Sequence, residues 1–164
     1  MTTLLALDIG GTKVGWGIVE VGQNYTVVER GSIPTEASRG GADVAERICS
    51  LAASLKEAHP EASGVAIASA GVVDPAEGKI VSATDIMPGW GGTPLGKLVE
   101  ERTGLPVRVL NDVHAHGLGE ATLGAGRPYS SVLSIAVGTG IGGALVEDGH
   151  VTFGSRDRKS TRLN

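Results

Sequence analysis

The stretch Asp8-Ile9-Gly10-Gly11-Thr12-Lys13 constrains this chain more than any other. It follows a short apolar run, Leu4-Leu5-Ala6-Leu7, that reads as a strand, and a second strand-like run, Val14 to Val21, comes straight after it. The pattern is strand, tight glycine turn, strand. Two adjacent glycines let a turn take backbone angles that a Cβ resists. They also leave no side chain between the turn's N–H groups and an approaching phosphate. Consecutive N–H groups make an anion-binding concavity, to which Thr12 adds a hydroxyl and Lys13 a positive charge. Asp8, at the strand's end, suits a Mg²⁺ ion or its water. The same six residues also suit an ordinary Gly-Gly hairpin. They are not a Walker loop, because the long spacer and the following helix are missing.

The rest of the chain extends this start. Leu4–Ile9, Val14–Val21 and Tyr25–Ile33 read as three consecutive strands joined by hairpin-like links, hence antiparallel. Gly40-Gly41 then opens a helix. Val44, Ile48, Leu51 and Leu55 recur at helical spacing, and Pro60 stops it. Gly64–Ala68 is a continuous apolar run, typical of a strand buried on both faces. Residues 69–75 read as a loop, Lys79–Ser82 as a short extra strand, and residues 85–94, rich in Gly and Pro, as a surface loop. A short helix through Leu95, Leu98 and Val99 ends at Gly104. Val107–Leu110 is a further buried strand, and Asn111-Asp112 opens a helix to about Leu123. Ser131–Val137, Ala144–Glu147 and Val151–Phe153 read as strands, with Asp148-Gly149 a type I′ turn between the last two.

At 164 residues, 41% hydrophobic and 20% charged, the chain should be globular. A net charge of −4 gives no case for nucleic acid. The single cysteine, Cys49, excludes an internal disulfide and a Cys-only metal site; in a helical pattern it reads as a small buried hydrophobe. Met1-Thr2-Thr3 lacks the charged start of a signal peptide, and nothing approaches a membrane span. The expected location is therefore the cytoplasm, with no membrane partner. Residues 156–164 carry four basic side chains and no periodicity. Residues 157–164 look like the translation of a sequencing-adapter oligonucleotide, so 156–164 is expected to be a non-native or disordered tail.

Val137-Gly138-Thr139-Gly140-Ile141-Gly142-Gly143 repeats the first pattern about 130 residues later, again between two strands. Two such units suggest a duplicated domain with two phosphate-gripping hairpins. With this series in view, the chain resembles the ROK family (repressors, open reading frames, kinases). The residues that carry the likeness are Asp8–Lys13, Gly71-Val72-Val73-Asp74, Pro88-Gly89-Trp90, Asn111-Asp112-Val113 and Val137–Gly142. The resemblance implies an α/β, actin-like (ribonuclease-H-like) ATPase fold. Residues 1–123 would form a complete first domain, and 124–155 the start of a second, truncated one.

It also implies ATP-dependent phosphorylation of a hexose or N-acetylhexosamine, with ATP and Mg²⁺ as the cofactors and a homodimeric parent protein. Asp112, just past a buried strand where ligand sites collect, is the expected general base. Asn111 would bond a neighbouring sugar hydroxyl. Either residue equally suits a plain helix cap. Asp8, Gly10, Gly11, Thr12 and Lys13 would serve the phosphates from the first domain, and Gly138, Thr139, Gly140 and Gly142 from the second. Gly71 and Gly91 would allow close approach to the sugar. Ala70 stands where the family often has proline. Trp90 reads equally as a sugar contact and as a plug under its loop. His114 and His116, two apart, do not share a helix face and read as partly exposed helix residues.

The family's Gly-Glu-Ile-Gly-His segment and cysteine-rich zinc loop do not occur, so zinc is expected only in a missing C-terminal part, and no metal ligand is assigned. The second unit's strands alone would expose an apolar face. The chain as written is accordingly expected to be poorly stable and inactive. The alternatives are a sugar-responsive repressor of the same family, another actin-like ATPase, and a non-catalytic sugar- or nucleotide-binding remnant.

Overall fold

Alternation in the first two strands puts Leu5, Leu7, Ile9, Val14 and Ile18 on one face, toward a core. In the computed structural model, which describes residues 1–137, 140–153 and 161–162, this becomes a mixed sheet. Strands β1 (Thr2–Ile9), β2 (Lys13–Val21) and β3 (Tyr25–Pro34) run antiparallel. After a 3-10 turn at Ala37–Arg39 and helix α1 (Gly41–Ala58), β4 (Ala62–Ser69) returns parallel to β1. A small hairpin follows, β5 (Val72–Asp74) with β6 (Lys79–Ser82), then α2 (Leu95–Thr103) and β7 (Val107–Asn111). The sheet order is β3-β2-β1-β4-β7.

Leu5, Leu7 and Ile9 of β1, Val14 and Ile18 of β2, Val65 and Ile67 of β4 and Val109 of β7 are buried with Val44, Ile48, Ala52 and Leu55 of α1. Each large side chain so buried stabilises by about 1.5–3 kcal/mol. The helices stop where the chemistry says. Gly104 takes φ 69° at the end of α2 and its N–H donates to the Glu100 carbonyl.

The second unit starts with α3 (Asp112–Thr122), followed by β8 (Ser131–Val137), β9 (Gly140–Glu147), β10 (His150–Thr152) and a two-residue β11 (Thr161–Arg162). β8 and β10 pair antiparallel with β9, and β11 with Gly140 and Ile141. Asp148 and Gly149 both have positive φ, as a type I′ turn needs. Helix α3 packs on β8 and β9 through small residues. A Cβ on Gly117 would stand 2.6 Å from Ala144 Cβ and 3.3 Å from Ser134 Cβ.

Several expectations change here. The chain divides into two compact units, Met1–Leu110 and Asn111–Asn164, with α3 packed on β8 and β9. Val72–Asp74 is a strand, not loop, since it finds a partner in β6. The Gly-rich run from Gly140 is already strand. β4 is not buried on both faces: Ala66 is exposed, because the core forms only on the Val65 and Ile67 side. Loop 85–94 is not all surface, for Met87 and Trp90 are buried.

Candidate active site

In the first unit the glycine turn sits at the end of β1. Gly10 N–H donates to the Lys13 carbonyl at 3.1 Å. A Cβ on Gly11 would stand 2.6 Å from Ile86 Cγ2, so loop 85–94 reaches over the turn. Asp8, Thr12 and Lys13 are exposed. Among the described residues neither Asp8 nor Lys13 takes part in an ion pair. An exposed carboxylate, a hydroxyl and an ammonium beside a turn without side chains form a donor set suited to a phosphate and its hard cation.

The end of β4 adjoins this turn. Ile9 lies opposite Ser69, and Ala70 N–H donates to the Ile9 carbonyl at 2.9 Å. Gly71 has φ 101°, and a Cβ there would meet the Ser82 carbonyl at 2.8 Å, so glycine is required. Trp90 is a plug: it is fully buried and its indole N–H donates to Ser69 Oγ at 3.2 Å. Ser69 Oγ in turn donates to the Ala70 carbonyl at 2.9 Å. Gly91 lines a cleft of about 600 Å³ with Ala45, Glu46, Cys49 and Arg102.

In the second unit Asn111 and Asp112 start α3 together. The Asn111 side-chain carbonyl accepts from Val113 N–H at 3.0 Å and His114 N–H at 3.3 Å, so Asn111 is the N-cap. Its amide Nδ2 donates to Asp112 Oδ1 at 2.9 Å, and that oxygen also accepts from Val113 N–H at 2.9 Å. Asp112 is therefore a half-buried carboxylate fixed at a helix N-terminus, where negative charge is favoured. His114 is half-buried, edge-on to Phe153 at 5.3 Å, and His116 is exposed. Gly142 faces α3, where a Cβ would meet Val113 Cγ2 at 2.8 Å. Gly140 opens β9; Gly138 and Thr139 lie outside the described residues.

Sequence reasoning missed two side chains here. Thr35 and Ser69 are the buried polar side chains among the described residues. Thr35 Oγ1 donates to the Gly10 carbonyl at 2.6 Å and Thr35 N–H to the Thr12 carbonyl at 3.0 Å. A lone Thr after Ile33-Pro34 carries no motif, so only its burial singles it out. Among the described residues no three His, Cys, Asp or Glu side chains gather as a metal site, and no helix is long and apolar enough to cross a membrane.

Residues 4–158 match the model of the ROK family. A glucokinase of Thermotoga maritima is 33% identical over 151 residues, 92% of this chain and 46% of that protein. The crystal structure of a ROK hexokinase from Thermus thermophilus superposes with a TM-score of 0.81 at 30% identity, covering 98% of this chain and 52% of that one. A ROK glucokinase from Streptomyces griseus, solved in complex with glucose and AMPPNP, gives a TM-score of 0.78 at 32% identity, covering 93% and 46%. The chain spans about half the length of the relatives it matches.

Proposed function

From the premise that this chain belongs to the ROK family, we propose that the protein carrying it transfers the γ-phosphoryl group of ATP to a hydroxyl of a hexose or N-acetylhexosamine. The observation that carries the reading is the Asp112 carboxylate, fixed by Asn111 Nδ2 and Val113 N–H at the start of α3. As the sugar oxygen attacks, Asp112 takes its proton. The new O–P bond forms while the bond from Pγ to the bridging oxygen breaks, and its electron pair leaves with ADP. Asn111 positions the base and bonds a neighbouring hydroxyl.

Gly10, Gly11, Thr12 and Lys13 are the phosphate-binding residues of the first unit, and Gly138, Thr139, Gly140 and Gly142 those of the second. Bound Mg²⁺ supplies positive charge that offsets the phosphates, and Asp8 is the carboxylate suited to hold it or its water. Gly71 and Gly91 admit the sugar. The relatives that support the reading are glucokinases and β-glucoside kinases. On the same footing the whole protein is a cytoplasmic homodimer with ATP and sugar as its small-molecule partners.

The test is coupled ADP release over a panel of hexoses and N-acetylhexosamines, on the protein carrying this chain. Turnover on one class, lowered about 10²- to 10⁴-fold in Asp112→Asn, is the expected result. Equal turnover in the variant would overturn the assignment of Asp112. No turnover on any sugar would overturn the kinase reading.

A further inference from the structure

We infer that Thr35 is a positioning residue for the phosphate turn, a proposal that rests on the phosphate-binding part of the function proposed above. A buried hydroxyl is costly unless bonded, and valine has nearly the same shape without that cost. Thr35 is 1% exposed. What the hydroxyl does there is specific. It donates to the Gly10 carbonyl while the backbone N–H of the same residue donates to the Thr12 carbonyl. One residue thus grips the turn on both sides of Gly11.

The two peptides involved are trans, so the N–H of each points opposite to its carbonyl. Drawing the Gly10 and Thr12 carbonyls onto Thr35 therefore aims the Gly11 and Lys13 N–H groups away from it. These are two of the donors that a phosphate concavity needs. A turn with two central residues between paired strands would ordinarily offer its first carbonyl to the last N–H; here that carbonyl is given to Thr35.

Thr35 is itself braced. Glu36 sits in the left-handed region at φ 54°, ψ 44°, rare for a residue with a Cβ, so the chain turns sharply just after the clamp. Arg47 of α1 holds that corner, donating from Nη2 to the Pro34 carbonyl at 2.9 Å and pairing with Glu36 at 3.5 Å. Helix α1, the corner at residues 34–36 and the glycine turn form one connected support. Ser69 does comparable work on the other side of β1, holding the Ala70 carbonyl beside Gly71. Both buried hydroxyls thus serve loops at the ends of β1 and β4.

The test titrates the ¹⁵N-labelled chain with inorganic pyrophosphate and follows the Gly11 and Lys13 amide resonances by NMR. Four chains are compared: unaltered, Thr35→Val, Thr35→Ser and the packing control Ile48→Val. Loss of the hydroxyl should move the Gly11 amide resonance before any titrant is added, since its nitrogen reports on the bond at the Gly10 carbonyl. It should also weaken pyrophosphate binding about five- to tenfold. Thr35→Ser should restore both. Ile48→Val loosens the same core but should leave affinity unchanged, which separates positioning from general stability. If the valine chain does not fold, Thr35→Cys, with a weak donor in place of the hydroxyl, serves the same comparison.

Thr35→Val (or Thr35→Cys) binding pyrophosphate as the unaltered chain does would overturn the inference and leave the kinase reading standing. An unaltered chain whose Gly11 amide ignores pyrophosphate would overturn the inference together with the phosphate-binding part of the proposed function. Thr35-dependent binding in a protein that phosphorylates no sugar would uphold the inference and sink the kinase reading.

Discussion

The two glycine hairpins of this chain start from similar sequence and end in opposite surroundings. In the first, the β1 side chains Leu5, Leu7 and Ile9 lie buried in the core with α1 residues. In the second, α3 packs on the Ser134 and Ala144 side of β8 and β9. The other side carries Leu133, Ile135 and Val137 at 66%, 62% and 72% exposure. An alternating strand decides only that its two faces differ. Which face becomes core depends on which helix the chain supplies next. After β3 this chain supplies α1. Among the described residues no helix follows β10.

The largest effect should come from making the same change in both hairpins. Leu5→Ala removes a fully buried side chain and should cost about 2–5 kcal/mol. Leu133→Ala removes an exposed one and should stay within about 0.5 kcal/mol. Urea melts of the two variants give the ratio directly. Equal costs would mean that the Leu133 face is covered in solution. The double variant Ile135→Ser, Val137→Ser should also lower binding of an apolar dye without lowering stability, whereas serine at Leu7 should unfold the first unit.

Next in size is the contact of α3 with the second hairpin. Gly117 lies against Ala144 and Ser134 with no room for a methyl group. Gly117→Ala should therefore cost about 1–3 kcal/mol by overpacking, although alanine is the better helix former. Gly119, two residues on, has open space where its Cβ would stand. Gly119→Ala should stabilise α3 by up to about 1 kcal/mol. Opposite signs from two identical substitutions on one helix would confirm that the α3 face toward β8 and β9 is close-packed; like signs would refute it.

This contrast also explains what was legible in the sequence. Most strands other than β5 and β11, and the helices α1, α2 and α3 in their order, could be read because periodicity, Gly104 and Pro60 are local signals. The pairing of β2 with β1 and with β3 followed from short turns. Covering was not legible, because a continuous apolar run such as Gly64–Ala68 looks alike whether one face is covered or two. Ala66 shows the outcome. The site divides the same way. Asp8–Lys13 and Asn111-Asp112 became candidates through the glycine pattern and the family resemblance. Thr35 and Ser69 do not, because a polar residue at a strand end is unremarkable until its burial is known. Trp90, open between two readings in sequence, was decided by a single hydrogen bond to Ser69.

A smaller effect isolates the start of the second unit. Asn111→Ala removes the N-cap acceptor for Val113 and His114 and should cost about 1 kcal/mol. Asn111→Asp keeps the cap but sets a second carboxylate beside Asp112, and it loses the Nδ2 donor to Asp112 Oδ1. If Asn111 only caps α3, the aspartate variant should be as active as the native protein. If it also positions the base, the aspartate variant keeps the melting temperature and loses turnover.

The smallest effect is on Cys49, and it measures the first unit's closure from inside. Burial pushes the Cys49 thiol above its ordinary value of 9.0, with Arg102 opposing and Glu46 adding to the rise. In the folded chain the thiol therefore keeps its proton at a pH where the unfolded chain has lost it. Between those two values the unfolded state binds fewer protons, so stability falls as pH rises past about 9; below that range the contribution is fully present. Cys49→Ala should flatten that fall. The thiol should also resist alkylation at neutral pH, because the thiolate is the nucleophile and this site disfavours it. A cysteine placed on the open hairpin, Ile135→Cys, should react rapidly under the same conditions. Were Cys49 to react as fast as residue 135, the first unit would have to open often, and the difference between covered and uncovered hairpins would not survive in solution.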